Sequence, residues 1–195
     1  MADYQILSEG YDAREPRGWR ASPTTVLVRD GGNLLLADPG SNPQRLRAAL
    51  AAAGIAPDAI DLIFLTHCHP DHFLNIRLFP DTPVMDSYAV NEHDLVRPHR
   101  GRLPDGYTCT LLPTPGHSPD HCALLIPTEQ GMVAVAGDAI WWCNGEEQNC
   151  DRATILGKRD PFAVDRAQLR ASREALLAAA DLIIPGHGRP FATGR

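Results

Sequence analysis

Asp61-Leu62-Ile63-Phe64-Leu65-Thr66-His67-Cys68-His69-Pro70-Asp71-His72 carries the reading of the whole chain. Its first half is a continuous apolar run, the pattern of a strand covered on both faces. Its second half packs three imidazoles and a carboxylate into the stretch where that strand must emerge. Imidazole nitrogen and carboxylate oxygen bind borderline divalent ions such as zinc, and these groups are costly to bury unless paired or metallated. Alternation within the motif puts His67 and His69 on one side and Asp71 with His72 on the other. That begins two metal sites and completes neither.

The missing donors are expected where later strands end. Upstream, runs at 24–29 and 33–37 flank Asp30-Gly31-Gly32 and predict a hairpin. Residues 43–53 are helix formers with Leu46 and Leu50 on one face and Gly54 as the stop. Downstream, strands are expected at 82–86, 109–112, 122–126, 132–136 and 181–184, and a helix at 163–180. The stretches 89–107 and 139–161 read as irregular surface and as a long loop or lid holding Trp141-Trp142. Three of the predicted strand ends run into a donor beside glycine: His117 after Gly116, Asp138 after Gly137, His187 between Gly186 and Gly188. A two-metal site needs ions roughly 3.5–4 Å apart with a carboxylate as the natural bridge. The assignment is then His67, His69 and His117 on one ion, Asp71, His72 and His187 on the other, and Asp138 shared. Asp71 and Asp138 are the candidate catalytic carboxylates of this set.

Composition bounds the rest. A chain of 195 residues fits one domain, 1–195, built around one site. Eighteen Lys and Arg against 24 Asp and Glu give a net charge of −6, which disfavours a general nucleic-acid binder and leaves no DNA-binding module. Five scattered cysteines without a C-x-x-C pair suit a reducing cytoplasm. The start, Met1-Ala2-Asp3-Tyr4-Gln5, has no signal-peptide pattern, and no apolar run reaches the length of a membrane span, so a cytoplasmic location is expected. Asp38, in the turn sequence Asp38-Pro39-Gly40, reads either as a turn residue or as an acceptor that orients the metal loop. Ser118 and His121 follow His117 closely enough to touch a substrate, although His121, like His93 and His99, reads by default as a loop histidine. Cys68 is expected as a small buried residue. Trp141 and Trp142 read as packing or as an apolar wall, and Arg97, His99, Arg100 and Arg102 as a solvated basic cluster or a site for an anionic substrate.

The strings Thr66 to His72, Thr114 to Ser118, Ala136 to Asp138 and Pro185 to Gly188, in that order, resemble the metal-binding motifs of the metallo-β-lactamase superfamily. The likeness runs from about Thr24 to Phe191. It implies an α/β four-layer αββα sandwich with the site at the sheet edges, Asp38 as the aspartate that supports the metal ligands, and a homodimer. Phe79-Pro80, Thr114 to His117, Val133 to Asp138 and Ala180 to Phe191 resemble a branch described as dinuclear metal-dependent hydrolases with an assigned ribonuclease activity. His69 stands where flavin-partnered diiron members place Glu, which disfavours that oxidoreductase chemistry. The short stretch after His187 leaves no room for the helical substrate domain of glyoxalase II, and the long inserted domain of the RNA-cleavage relatives is missing too.

The expected activity is hydrolysis of an ester-type or phosphodiester bond in a small molecule or RNA by a metal-bridging hydroxide. Its cofactors are two divalent ions, zinc first, with iron or manganese as alternatives. Rival readings are a thioesterase or lactonase of the glyoxalase II type, a mononuclear iron persulfide dioxygenase needing only two His and one carboxylate, and a non-catalytic metal-binding scaffold. Substrate choice is expected to lie in 86–107 and 139–161.

Overall fold

The computed structural model describes residues 1–194. The first half of the chain builds one seven-stranded sheet and a separate two-stranded hairpin. Its N-terminal strands are β1 (Asp3–Ser8), the β2 (Tyr11–Glu15) and β3 (Gly18–Ser22) hairpin, which stands apart as its own small sheet, then β4 (Thr25–Asp30) and β5 (Asn33–Ala37). The β4–β5 turn closes on the Asp30↔Asn33 pair, with Gly31 and Gly32 at φ of 61° and 89°. Both torsions are positive, as a tight hairpin turn demands, and glycine adopts them without steric cost. Helix α1 (Pro43–Ala52) follows; Asn42 caps it by accepting from the Arg45 N–H, and Pro43 occupies a first-turn position. After it come β6 (Leu62–Phe64), the short α2 (Pro70–Phe73), β7 (Val84–Met85), β8 (Ala89–Glu92) and β9 (Leu95–Pro98). The sheet order is β1-β4-β5-β6-β7-β8-β9, with β5, β6 and β7 parallel.

The second half builds a facing sheet from β10 (Thr110–Pro113), β11 (Cys122–Thr128), β12 (Gly131–Gly137), β13 (Leu182–Pro185) and β14 (Phe191–Ala192), in sequence order. Strands β12 and β13 are parallel, joined by a crossover that holds α3 (Arg152–Gly157) and α4 (Arg166–Ala179). Asp165 starts α4 by accepting from the N–H groups of Ala167 and Gln168.

Period-two alternation sorts the strands into layers. Val26 and Val28 of β4 join Phe64, Leu124, Ile126, Val135 and Ile184 in the core between the sheets. Leu27, with Leu36 and Ile63, points the other way, onto Leu46 and Leu50 of α1. On the far side Ala123, Ala134 and Ile183 meet Leu169, Leu176 and Leu177 of α4. The result is helix, sheet, sheet, helix: the α/β sandwich expected. Each leucine buried this way contributes about 1.5–3 kcal/mol relative to exposure.

Three stretches differ from the sequence reading. Residues 89–107, read as irregular, contain the β8–β9 hairpin; its outer strand is exposed throughout, so no buried stripe marks it. The 139–161 segment, read as a loop, contains α3, whose six residues are too few to display a helical period. No element was expected before residue 24, where β1 to β3 now stand. Among the described residues, no helix is long and apolar enough to cross a membrane.

Candidate metal centre

The parallel strands deliver the site. Beyond the ends of β5 and β6 lie Asp38 and the Thr66–His72 loop, and beyond β12 and β13 lie Asp138 and His187. His117 arrives on the turn between β10 and β11. One group, His67, His69, His117 and Asp138, and a second, Asp71, His72 and His187, each bring donor atoms within 4.8 Å of one another and could each hold a metal ion. All seven predicted residues are therefore brought together, in the two sets that the sequence pattern separates.

Asp138 stands between the sets and divides its oxygens. Oδ2 lies 3.8 Å from His67 Nε2 and 3.6 Å from His117 Nε2, while Oδ1 lies 3.3 Å from His72 Nε2 and 3.4 Å from His187 Nε2. Asp71 Oδ2 is 3.4 Å from His187 Nε2. Gly186 makes this closeness possible. A Cβ there would sit 1.9 Å from Asp138 Oδ1, so the β13 end can pass the carboxylate only without a side chain.

Four imidazoles are anchored at Nδ1. His72 Nδ1 donates to Asp38 Oδ2 at 2.9 Å, and His117 Nδ1 to Asp160 Oδ2 at 2.7 Å. His187 Nδ1 meets the carbonyls of Tyr11 and Ser22, both at 3.0 Å. Thr66 Oγ1 gives its proton to Asp38 Oδ2, so it accepts from His67 Nδ1. A proton fixed at Nδ1 leaves the Nε2 lone pair free, the arrangement that second partners impose on metal-binding histidines. His67 Nε2, His72 Nε2 and Asp138 Oδ1 are buried and have no hydrogen-bond partner among the described residues. Orphaned acceptors of this kind, facing one another, fit a pair of divalent cations.

The buried carboxylate dominates the electrostatics of the cluster. Burial and the neighbouring His72 hold His67 well below the ordinary histidine range. Burial would lower His72 and His187 as well, but Asp138 outweighs it, raising His72 strongly and His187 to about 10. The same imidazoles, His187 first, hold Asp138 well below the usual carboxylate range against its burial. The cluster thus concentrates negative charge on one buried carboxylate ringed by nitrogen donors.

Asp38 resolves its two readings into both. Its backbone is left-handed, at φ 48°, and its carboxylate accepts from the Thr66 N–H at 2.9 Å, the Thr66 hydroxyl at 2.7 Å and His72. Two expectations are corrected. His121 is no surface histidine: it is 2% exposed, bonded to Thr114 Oγ1 and pushed down to about 3 by burial and then His117. Cys68 is exposed, because the chain turns its side chain outward between two inward histidines.

A cavity of about 270 Å³ opens on the cluster, lined by Trp19, Trp141, Phe162 and Asp12 beside His69, Asp71, Asp138 and His187. Trp141 is the wall residue of its pair; Trp142 packs behind it against Phe191. Ser118 and His121 do not line this cavity, and neither does the basic cluster, where Arg97 pairs with Glu92 and His99 bonds the Asp86 carbonyl. Asp12, Asp160 and Phe162 escape the sequence reading because no motif or spacing sets them apart.

Two facing sheets with this donor set at their common edge define a metallo-hydrolase. The chain belongs to the metallo-β-lactamase superfamily: it is 34% identical to the mouse (Mus musculus) metallo-beta-lactamase domain-containing protein 1, over 90% of this chain and 72% of that protein. The family model for the metallo-beta-lactamase superfamily matches residues 18–108. A shorter match, 41% identical over 39% of this chain and 25% of the other, is to ribonuclease Z of Mycobacterium sp. strain KMS. Among solved structures, TTHA1623 in a di-iron-bound form superposes with a TM-score of 0.62 and 25% identity, covering 93% of each chain.

Proposed function

We propose that this protein is a dinuclear metal-dependent hydrolase acting on an ester-type bond of a small, partly apolar substrate, with 1–195 working as one catalytic domain. His67, His69 and His117 would hold one ion and Asp71, His72 and His187 the other, with Asp138 available to both. The division of the two Asp138 oxygens between the two histidine sets carries this reading. A mononuclear iron oxygenase would need only one of the sets. The nitrogen and oxygen donors suit zinc first, and also iron or manganese.

Bound there, two divalent cations supply Lewis acidity and lower the pKa of a water from about 15.7 toward 7. The protein's own groups do the rest. Asp38, Asp160, Thr66 and the Tyr11 and Ser22 carbonyls hold four rings in fixed orientation, so no reorganisation is needed when charge develops. Trp141 and Phe162, with ring centroids 5.9 Å apart, wall off water on one side and present an apolar surface to the acyl or leaving group. Among the described residues no Lys or Arg lines the cavity, which favours an uncharged ester, thioester or lactone over a phosphodiester. The similarity to ribonuclease Z supports the second reading, an RNA phosphodiester.

Elemental analysis beside a panel of ester, thioester, lactone and RNA substrates tests these readings. Two ions per chain and turnover of carbonyl esters are expected, with His187→Ala losing one ion and at least 100-fold in kcat/KM. One ion per chain with His187→Ala fully active would refute the two-metal site, and cleavage of RNA alone would select the phosphodiester reading.

A further inference from the structure

Asp12 lies on β2, outside both metal-holding sets, yet its carboxylate lines the same cavity. It is 8% exposed, and its Oδ1 is buried with no hydrogen-bond partner among the described residues. A buried acceptor left unpaired is costly, the more so when it is charged. Its backbone is anchored: the Asp12 carbonyl accepts from the Asn144 N–H at 2.6 Å, and the adjoining Tyr11 carbonyl accepts from His187. The side chain is thus held in place by its strand while its own bonding capacity goes unspent. Apart from the groups of the metal cluster, it is the acceptor side chain of a cavity whose other side chains, Trp19, Ala21, Pro70, Trp141 and Phe162, offer no acceptor.

We propose that Asp12 is the residue that selects the substrate, by accepting a hydrogen bond from an N–H or O–H group placed near the scissile bond of a molecule whose apolar body packs on Trp141 and Phe162. An ionised carboxylate has acceptors and no donor, so the complementary group must be an amide N–H, a hydroxyl or an ammonium. A site built to pair a substrate donor rejects the analogue lacking it far more sharply than an apolar pocket rejects an extra methylene. The substrate class that follows is a neutral or cationic, donor-bearing ester such as an N-acylamino ester. The choice of bond rests on the ester-hydrolase reading above; the donor recognition does not.

Two probe pairs, each differing by one N–H, separate these claims. The first is the 4-nitrophenyl esters of N-benzoylglycine and N-benzoyl-N-methylglycine, followed by kcat/KM on the metal-loaded protein. The second is N-benzylacetamide and N-benzyl-N-methylacetamide, which carry no ester, followed by quenching of tryptophan fluorescence. A preference for the N–H member of about tenfold or more is expected in both pairs, from the strength of a hydrogen bond to a charged acceptor. Asp12→Ala should collapse that preference and Asp12→Asn should reduce it, both with two ions retained. No preference in the native protein, or a preference unchanged in Asp12→Ala, overturns the proposal. So does loss of metal from Asp12→Asn, since the carboxylate would then be supporting the metal centre. Binding preference without turnover of either ester would defeat the ester reading and leave the role of Asp12 standing.

Discussion

Asp160 shows how much a single side chain outside the metal sets is asked to do. One oxygen takes the His117 Nδ1 proton at 2.7 Å, and the other accepts from the Phe162 N–H at 2.9 Å. The carboxylate therefore fixes a metal-facing ring and the apolar wall together. Burial would raise its pKa, but the bonded His117 more than compensates and keeps it below the usual carboxylate range. Removing an acceptor of this kind typically lowers metal affinity 10- to 100-fold. Asp160→Ala should show a loss of roughly that size by competition with a chelator, and Asp160→Asn, which keeps one of the two acceptor oxygens, a smaller one. Equal affinity in Asp160→Ala and the native protein would mean that His117 is oriented by packing alone.

At the level of elements, the β4–β5 hairpin is tied to the second half of the chain by one carboxylate. Asp30, 1% exposed at the turn, accepts from the Thr108 N–H and hydroxyl and from the Cys109 N–H. Burial pushes its pKa up, yet these bonds, the Cys109 one foremost, leave it below its ordinary value of 3.8. A group whose folded pKa is depressed contributes stability that is complete above the unfolded value and is lost as pH falls through the folded one. Denaturant unfolding should therefore show the native protein losing stability below about pH 4 more steeply than Asp30→Asn, with matching slopes above pH 5. The hairpin was legible in the sequence because Asp-Gly-Gly between apolar runs has a single structural meaning. The metal loop was legible for the same reason, since buried His and Asp at that density have few other fates. Strands β1 to β3 were not: their residues are mostly half-buried or exposed and give no clean alternation, and their positions are set by β4 and by His187, far away in sequence. Asp12 and Asp160 fall in that blind spot, being single acidic residues whose meaning comes only from what lies across the cavity.

Over the whole molecule, the centre sits on the seam between two halves. Residues 67–72 come from the first sheet, and His117, Asp138 and His187 from the second. Ions held there bridge the two sheets, so metal occupancy should report as global stability. Free ion at a thousandfold its dissociation constant stabilises by about 4 kcal/mol per site, and for a chain of this size that corresponds to roughly 8–16 °C in Tm. A thermal scan before and after chelation should show a drop of at least that order, reversed by adding zinc. An unchanged Tm would place the donors as already paired without metal. The bond from His187 to the Tyr11 and Ser22 carbonyls has a consequence in time as well as in space. A ribosome adding 5–20 residues per second emits the His67 loop roughly 6–24 s before His187. During that interval the nascent chain displays three histidines, an aspartate and the Cys68 thiol with the closing strand still unmade. The order of synthesis thus leaves the imidazoles of this loop uncovered until β13 arrives and sets His187 against Asp71, Asp138 and the Tyr11 and Ser22 carbonyls.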